Sequence, residues 1–168
     1  MGKVPPAVAA PVEAPKLPKR TTDKFFGSLG LFLLRLIAAF SLGIHGMQRL
    51  ADMDATSQLF SNTVLPAPVA FAWGVAIAEV VIAALLVFGL ATRLAGFLMA
   101  LVAIGTLAFI QWGPWSIFID GQTGFIGELD LLLAGIGLVL LCLGGGSWSI
   151  DGAIRRSRFK KKTQAAAA

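Results

Sequence analysis

Four long apolar stretches follow one another along the chain, and each is close to the length that a membrane-crossing helix needs. They run from 29 to 47, from 69 to 90, from 94 to 110 and from about 125 to 143. A helix rises about 1.5 Å per residue, so about 20 apolar residues cross the hydrocarbon core of a bilayer. Pro and Gly fall between the stretches, as in "LPAP", "WGPW" and "GGGS". The pattern predicts an all-α polytopic membrane protein, a bundle of four transmembrane helices.

The composition agrees with a membrane location and leaves little room for anything besides the bundle. Of 168 residues, 57% are hydrophobic and only 14% are charged, whereas soluble domains carry about 25% charged residues. Residues 1–28 are rich in Pro, Ala and Lys and have no apolar periodicity, which predicts a disordered tail. We therefore divide the chain into that tail, the bundle at 29–151 and a basic tail at 152–168.

The basic residues predict the orientation of the bundle. Lys and Arg are concentrated in the N-terminal tail, in the turn between the second and third stretches, and in the C-terminal tail. By the positive-inside rule both termini are cytoplasmic, in a bacterial plasma membrane. The basic residues at this boundary are expected to contact anionic lipid headgroups rather than nucleic acid. They are Arg93, Arg155, Arg156, Arg158, Lys160, Lys161 and Lys162.

Two ionisable residues lie deep in the predicted spans. The rise of a helix puts Arg35 about 10 Å and Glu79 about 16 Å from the cytoplasmic ends of the first and second helices. A lone charge at such depth costs about 2.5–3.5 kcal/mol, so buried charges usually have partners. We expect Arg35 and Glu79 to form an ion pair or share a polar pocket, either to fix how the two helices meet or to serve as a proton or ligand site.

A second set of polar residues is predicted at the outer ends of the spans. Its members are His45, Gln48, Gln111, Glu128 and Asp130. Glu128 and Asp130 are two residues apart and therefore point in different directions on a helix, so only one is expected to face the interior. The set could bind a quinone or relay protons, since the pKa of histidine is ordinarily near neutral pH. The alternative is that His45 is a structural residue at a helix end.

The chain offers few ligands for a redox centre of its own. It has one cysteine, Cys142, and one histidine, too few for a haem or an iron–sulfur cluster held by this chain alone. We expect no metal and no cofactor bound by protein ligands. A quinone and a tightly bound anionic phospholipid remain as candidate ligands.

The order and spacing of several short motifs resemble the DoxX family of small bacterial membrane proteins. The resemblance covers about 31 to 151 and rests on "LLRLIAAFSLGIHGMQRL", Glu79, "FGLATRLAGFLMAL", "GELDLLL" and "GGGSWSIDGAI". It implies a polar framework, which maps onto Arg35, His45 and Gly46, Glu79, residues 89–93 and Glu128. Two features depart from the family pattern, namely Arg49 where a lysine is expected and "GGG" where Gly-Pro-Gly is usual.

The resemblance implies a role near respiratory or other membrane oxidoreductases. We expect an accessory subunit without a redox cofactor of its own, with subunits of a cytochrome or quinol oxidase assembly and membrane lipids as partners. The alternative hypothesis is a quinone-binding oxidoreductase subunit whose polar residues conduct protons. A small transporter ranks last, because four short spans without inverted repeats or broken helices offer little for alternating access.

Overall fold

The computed structural model describes residues 24–63, 65–111 and 125–167, and the long elements in these ranges are all helical. Six α-helices occur there, and a five-residue π-helical segment, Leu107–Gln111, continues the fourth. The α-helices are α1 (Phe25–Ala51), α2 (Met53–Ser61), α3 (Pro68–Phe88), α4 (Thr92–Thr106), α5 (Glu128–Leu143) and α6 (Ile150–Ala167). The predicted all-α class is confirmed.

Three helical segments are long and apolar enough to cross a membrane. They are Phe25–Ala51, Pro68–Phe88 and Thr92–Gln111, and they coincide within a few residues with the first three predicted stretches. The fourth stretch forms α5, which is apolar but only 16 residues long. The hydrophobic pattern therefore located every long helix of the bundle, and three of them have the dimensions of membrane spans.

The bundle consists of two antiparallel helix pairs. α1 lies against α3, and α4 lies against α5, while α3 also contacts α4 and α1 contacts α5. We call the end at which α3 turns into α4 and α5 turns into α6 the turn end, and the opposite end, near α2 and the start of α5, the loop end. The buried core contains many alanines, as expected where helices pack closely in a membrane.

The pair formed by α4 and α5 depends on direct backbone contact. A Cβ atom built on Gly96 would lie 2.7 Å from the carbonyl oxygen of Gly137, and one built on Gly137 would lie 2.6 Å from that of Gly96. Only glycine permits so close an approach. These two residues therefore set the distance between the two helices.

Large apolar side chains cover the outside of the bundle. On α1 alone, Ile37 is 64% and Phe40 is 73% exposed, and α3, α4 and α5 also carry exposed apolar residues. An exposed apolar surface that surrounds a bundle is typical of contact with lipid. The outward faces of the helices thus match the membrane location that their length and composition indicate.

The structure also bears on the predicted tails. α1 begins at Phe25, so the last four residues of the tail predicted at 1–28 are helical, and residues 1–23 lie outside the described part of the chain. The basic segment that follows the bundle forms α6, which carries Arg and Lys residues along an exposed helix. The basic tail therefore has regular structure.

We predict that Gly96→Ala destabilises the bundle, since the added methyl group would overlap the backbone of α5. Overpacking of this kind costs about 1–3 kcal/mol, and thermal unfolding in detergent should occur at a lower temperature. Gly105→Ala is the matched control, because Gly105 is also in α4 and its Cβ would meet nothing within 4 Å. That variant should be neutral or gain up to about 1 kcal/mol from helix propensity. Equal effects of the two variants would contradict the packing argument.

Candidate functional site

Arg35 lies at the turn end of the bundle, where it joins α1 to the loop between α5 and α6. Its side chain is buried, and Nη2 donates a hydrogen bond to the carbonyl oxygen of Trp148 at 2.8 Å. The guanidinium carbon lies 5.7 Å from the centre of the Phe32 ring. A Cβ on Gly89 would overlap Arg35 Nη1. The glycine at the end of α3 thus makes room for the arginine.

The ion pair that we expected between Arg35 and Glu79 is wrong. Gly43 packs against Ala83, and Gly46 packs against Glu79, so Glu79 is level with Gly46. Arg35 is eleven residues earlier in α1, which is about 16 Å along the helix axis. Depths counted from the helix ends were misleading, because α1 extends well beyond the end of α3 at the turn end.

Asp151 completes the arrangement at the turn end. Its Oδ1 accepts a hydrogen bond from the backbone N–H of Ala91 at 2.9 Å, and its Oδ2 accepts one from that of Thr92 at 2.7 Å. These N–H groups belong to the start of α4, where a helix has unpaired donors. Asp151 is also close enough to Arg35 for their opposite charges to attract. The first turn of α6 therefore fastens α4 and α1 together.

Glu79 has a different partner, at the loop end. Its Oε1 lies 3.1 Å from Nη1 of Arg49, and the two side chains are 4% and 17% exposed. Glu79 Oε2 is buried and accepts no hydrogen bond from the part of the chain that the structure describes. A Cβ on Gly46 would lie 2.9 Å from that of Glu79, so the glycine lets α1 approach the acid closely.

Two polar residues of the second helix pair, α4 with α5, lie near Arg49 and Glu79. Gln111 Nε2 donates a hydrogen bond to Asp130 Oδ2 at 3.1 Å, and Asp130 is close enough to Glu79 for their charges to repel. Gln111 ends the π-helical segment, and such segments occur often at functional sites. We call Arg49, Glu79, Gln111 and Asp130 the loop-end cluster.

The charges of the loop-end cluster do not balance. Glu79 and Asp130 each carry a negative charge when ionised, and Arg49 carries the one positive charge of the cluster. Isolated charges are costly inside a membrane protein. A proton on one carboxyl group, or a cationic or hydrogen-bond-donating ligand group, would restore the balance. The loop-end cluster thus contains two acids and one base.

The outer set predicted from sequence is only partly assembled. Gln111 and Asp130 are together, and Asp130 is half-buried whereas Glu128 is exposed. Gln48 is exposed as well. His45 is half-buried and lies one helical turn before Arg49 on the same face of α1.

Sequence reasoning missed Arg49 as a member of the site. It appeared there only as a departure from a family pattern, although two features pointed to it. Gly46 marks the point at which α1 comes close to another helix, and Arg49 is three residues further on, one turn along the same side. Asp151 was missed because its partners are backbone groups, which no sequence pattern reveals.

The residues predicted to contact lipid headgroups lie at the turn end and along α6. Arg93 donates a hydrogen bond to the carbonyl oxygen of Cys142 at 3.2 Å, and Arg156 donates one to that of Ser147 at 3.0 Å. Arg155 is half-buried. The others are exposed: Arg158, Lys160, Lys161 and Lys162. Contact with lipid stays a prediction for all of them.

Comparison with known proteins agrees with the motifs. The DoxX family model matches residues 30–112. Residues 30–112 belong to the DoxX family. This DoxX segment contains almost all of α1 and the whole of α2, α3 and α4, and it ends before α5.

The chain also resembles a named bacterial protein. The chain is 35% identical over 83 residues to a Bacillus subtilis (strain 168) protein named "Putative oxidoreductase CatD". The match covers 49% of this chain and 60% of that protein. No solved structure matches.

Two glycines of the polar framework that the DoxX resemblance implies lie directly against its two buried charged residues. Gly46 contacts Glu79, and Gly89 contacts Arg35. These four residues lie within the DoxX segment, whereas Glu128 lies outside it. The motif glycines therefore have a physical role, since each leaves the space that a buried charged residue of another helix occupies.

We predict that Arg49 and Glu79 are energetically coupled and that Arg35 and Glu79 are not. Arg49→Met leaves a buried acid without its partner, and breaking a buried ion pair in this way costs about 3–5 kcal/mol. Adding Glu79→Leu should recover part of that loss. A double-mutant cycle, measured by unfolding in detergent, should give at least about 1 kcal/mol of coupling.

The cycle between Arg35→Met and Glu79→Leu is the control. These sites are far apart and share no partner, so their effects should add within about 0.5 kcal/mol. Strong coupling between Arg35 and Glu79, with none between Arg49 and Glu79, would overturn the register described here.

Proposed function

We propose that this DoxX family membrane protein is a small accessory subunit of a membrane oxidoreductase complex. In this proposal α5 is a fourth span, both termini are cytoplasmic and the membrane is a bacterial plasma membrane. Three arguments support it: α5 is apolar and packs along α4, the basic helix α6 follows the turn end, and a relative is named as an oxidoreductase.

The loop-end cluster gives such a subunit a defined contribution. The observation that carries this part of the proposal is the buried carboxylate of Glu79, which is paired with Arg49 through one oxygen while the other accepts no hydrogen bond from the described residues. Oxidation of a quinol releases two electrons and two protons. Glu79 and Asp130 would accept protons from a quinol head group, while a redox centre of the partner would accept the electrons.

Gln111 and Arg49 have supporting roles in this scheme. Both can donate hydrogen bonds to a quinone oxygen, and Gln111 already holds Asp130 in place through its amide. A quinone head group needs such donors, and its isoprenoid tail needs an apolar surface, which the outside of the bundle offers. The chain itself has one histidine and one cysteine, so the electron acceptor is assigned to the partner.

The association is tested by purification from gently solubilised membranes. Tagged protein should elute together with subunits that carry haem or flavin absorbance, at a fixed ratio and through a second column. Elution of this protein alone in several mild detergents would contradict the accessory role. A quinone extracted from the purified complex would support the loop-end site.

The role of the cluster is tested by Glu79→Gln. The amide keeps the size of the side chain but cannot accept a proton, so quinol-dependent electron transfer by the complex should fall about tenfold or more. Glu128→Gln is the matched control, because it makes the same chemical change at an exposed acid. Unchanged electron transfer in an assembled Glu79→Gln complex would reject the proton role without rejecting the accessory role.

A further inference from the structure

A groove opens at the turn end, on the side where α4, α5 and α6 meet. Its volume is about 450 Å³. Arg93 and Arg155 line it together with residues 144–146 and the apolar side chains of Leu94 and Leu143. The loop-end cluster lies at the opposite end of the bundle, so this groove has no part in the function proposed above.

The walls of the groove carry a net positive charge. Arg93 and Arg155 contribute two positive charges, and Asp151 is the acid among the lining residues. Both oxygens of Asp151 already accept hydrogen bonds, from the backbone N–H groups of Ala91 and Thr92. A guanidinium has five N–H donors in a planar fork, and Arg93 uses one of them on the carbonyl oxygen of Cys142. The groove therefore suits an anion that accepts several hydrogen bonds.

The floor of the groove is a glycine loop that the surrounding residues hold in place. Gly144 and Gly146 have φ of 76° and 69°, which glycine adopts without strain. A Cβ on Gly145 would lie 2.6 Å from the hydroxyl oxygen of Thr92, so the loop packs directly on the start of α4. Ser149 donates a hydrogen bond to the carbonyl oxygen of Gly146 at 2.8 Å. The floor is thus narrow, free of side chains and fixed.

One side of the groove is apolar and continues onto the outer surface of the bundle. Leu94 is 54% and Leu143 is 46% exposed, and both belong to helices whose outer faces are covered by large apolar residues. A ligand that touches the arginines can therefore also lie along the apolar surface of α4 and α5. This combination of charge and apolar surface fits an amphiphile better than a small free anion.

The geometry points to a binding site for the phosphate group of an anionic phospholipid, with Arg93 and Arg155 on the phosphate and acyl chains along Leu94 and Leu143. Arginine binds phosphate through paired hydrogen bonds as well as charge. This site differs from a general attraction between lipid and the basic helix α6. The other basic residues of α6 are exposed and do not line the groove. The bound lipid would fasten the α4 turn to the start of α6.

The test uses the full chain, purified in a non-ionic detergent and titrated with short-chain phosphatidylglycerol. Binding is followed by native mass spectrometry and by the rise in melting temperature. Arg93→Gln combined with Arg155→Gln should weaken binding about tenfold or more, through lost charge-assisted hydrogen bonds. Lys160→Gln combined with Lys161→Gln removes the same charge from exposed positions and should change binding by less than about twofold.

Several outcomes would decide against the proposal. Equal losses for the arginine and lysine pairs would mean diffuse attraction to a basic helix. Equal binding of phosphatidylcholine would mean that anionic charge is not recognised. Inorganic phosphate that binds as tightly as phosphatidylglycerol, and displaces it, would mean a site for free phosphate instead of a lipid.

The fold of the variants is checked separately. Circular dichroism and gel filtration establish whether the arginine variants remain helical and monodisperse. If the double variant fails to fold, the test uses Arg155→Gln alone. Arg93 is the residue more important for folding, because it also donates a hydrogen bond to the carbonyl oxygen of Cys142 in α5. Arg155→Lys keeps the positive charge but lacks the planar guanidinium that makes paired hydrogen bonds to phosphate. This variant should therefore show only part of the wild-type affinity. Full affinity in a folded Arg155→Gln protein would overturn the site.

Discussion

The register in which α1 lies against α3 determines the arrangement at both ends of the bundle. Gly46 packs against Glu79 at the loop end, and Gly89 packs against Arg35 at the turn end. A shift by one helical turn, about 5.4 Å, would separate Glu79 from Arg49 and Arg35 from the Trp148 carbonyl at the same time. Because each unpartnered charge costs about 2.5–3.5 kcal/mol in a membrane, the two buried charges hold this register from opposite ends.

The buried charges at the two ends have different kinds of partner. At the turn end, Arg35 and Asp151 bind backbone groups of Trp148, Ala91 and Thr92. The backbone groups in these contacts do not titrate. At the loop end, Glu79 pairs with Arg49, and Asp130 is close enough to Glu79 for their charges to repel. The turn end therefore joins side chains to the backbone, whereas the loop end brings ionisable side chains of different helices together.

The sequence predicted the helices well and the partners of the charges poorly. Hydrophobic patterning located α1, α3, α4 and α5 within a few residues, but it did not predict α6, whose sequence is polar and basic. The partner of Glu79 was wrong because depth was counted from the helix ends, and helices of unequal length need not end together. Arg35 and Asp151 bind backbone groups of distant segments, so no pattern of side-chain types along the chain identifies those contacts.

The position of the loop-end cluster links its charge to the packing of the whole bundle. Arg49 and Glu79 belong to the pair of α1 with α3, whereas Gln111 and Asp130 belong to the pair of α4 with α5. The cluster therefore lies across the seam between the two pairs, where Asp130 repels Glu79 when both are ionised. The electrostatic repulsion between these two acids therefore acts between the two helix pairs.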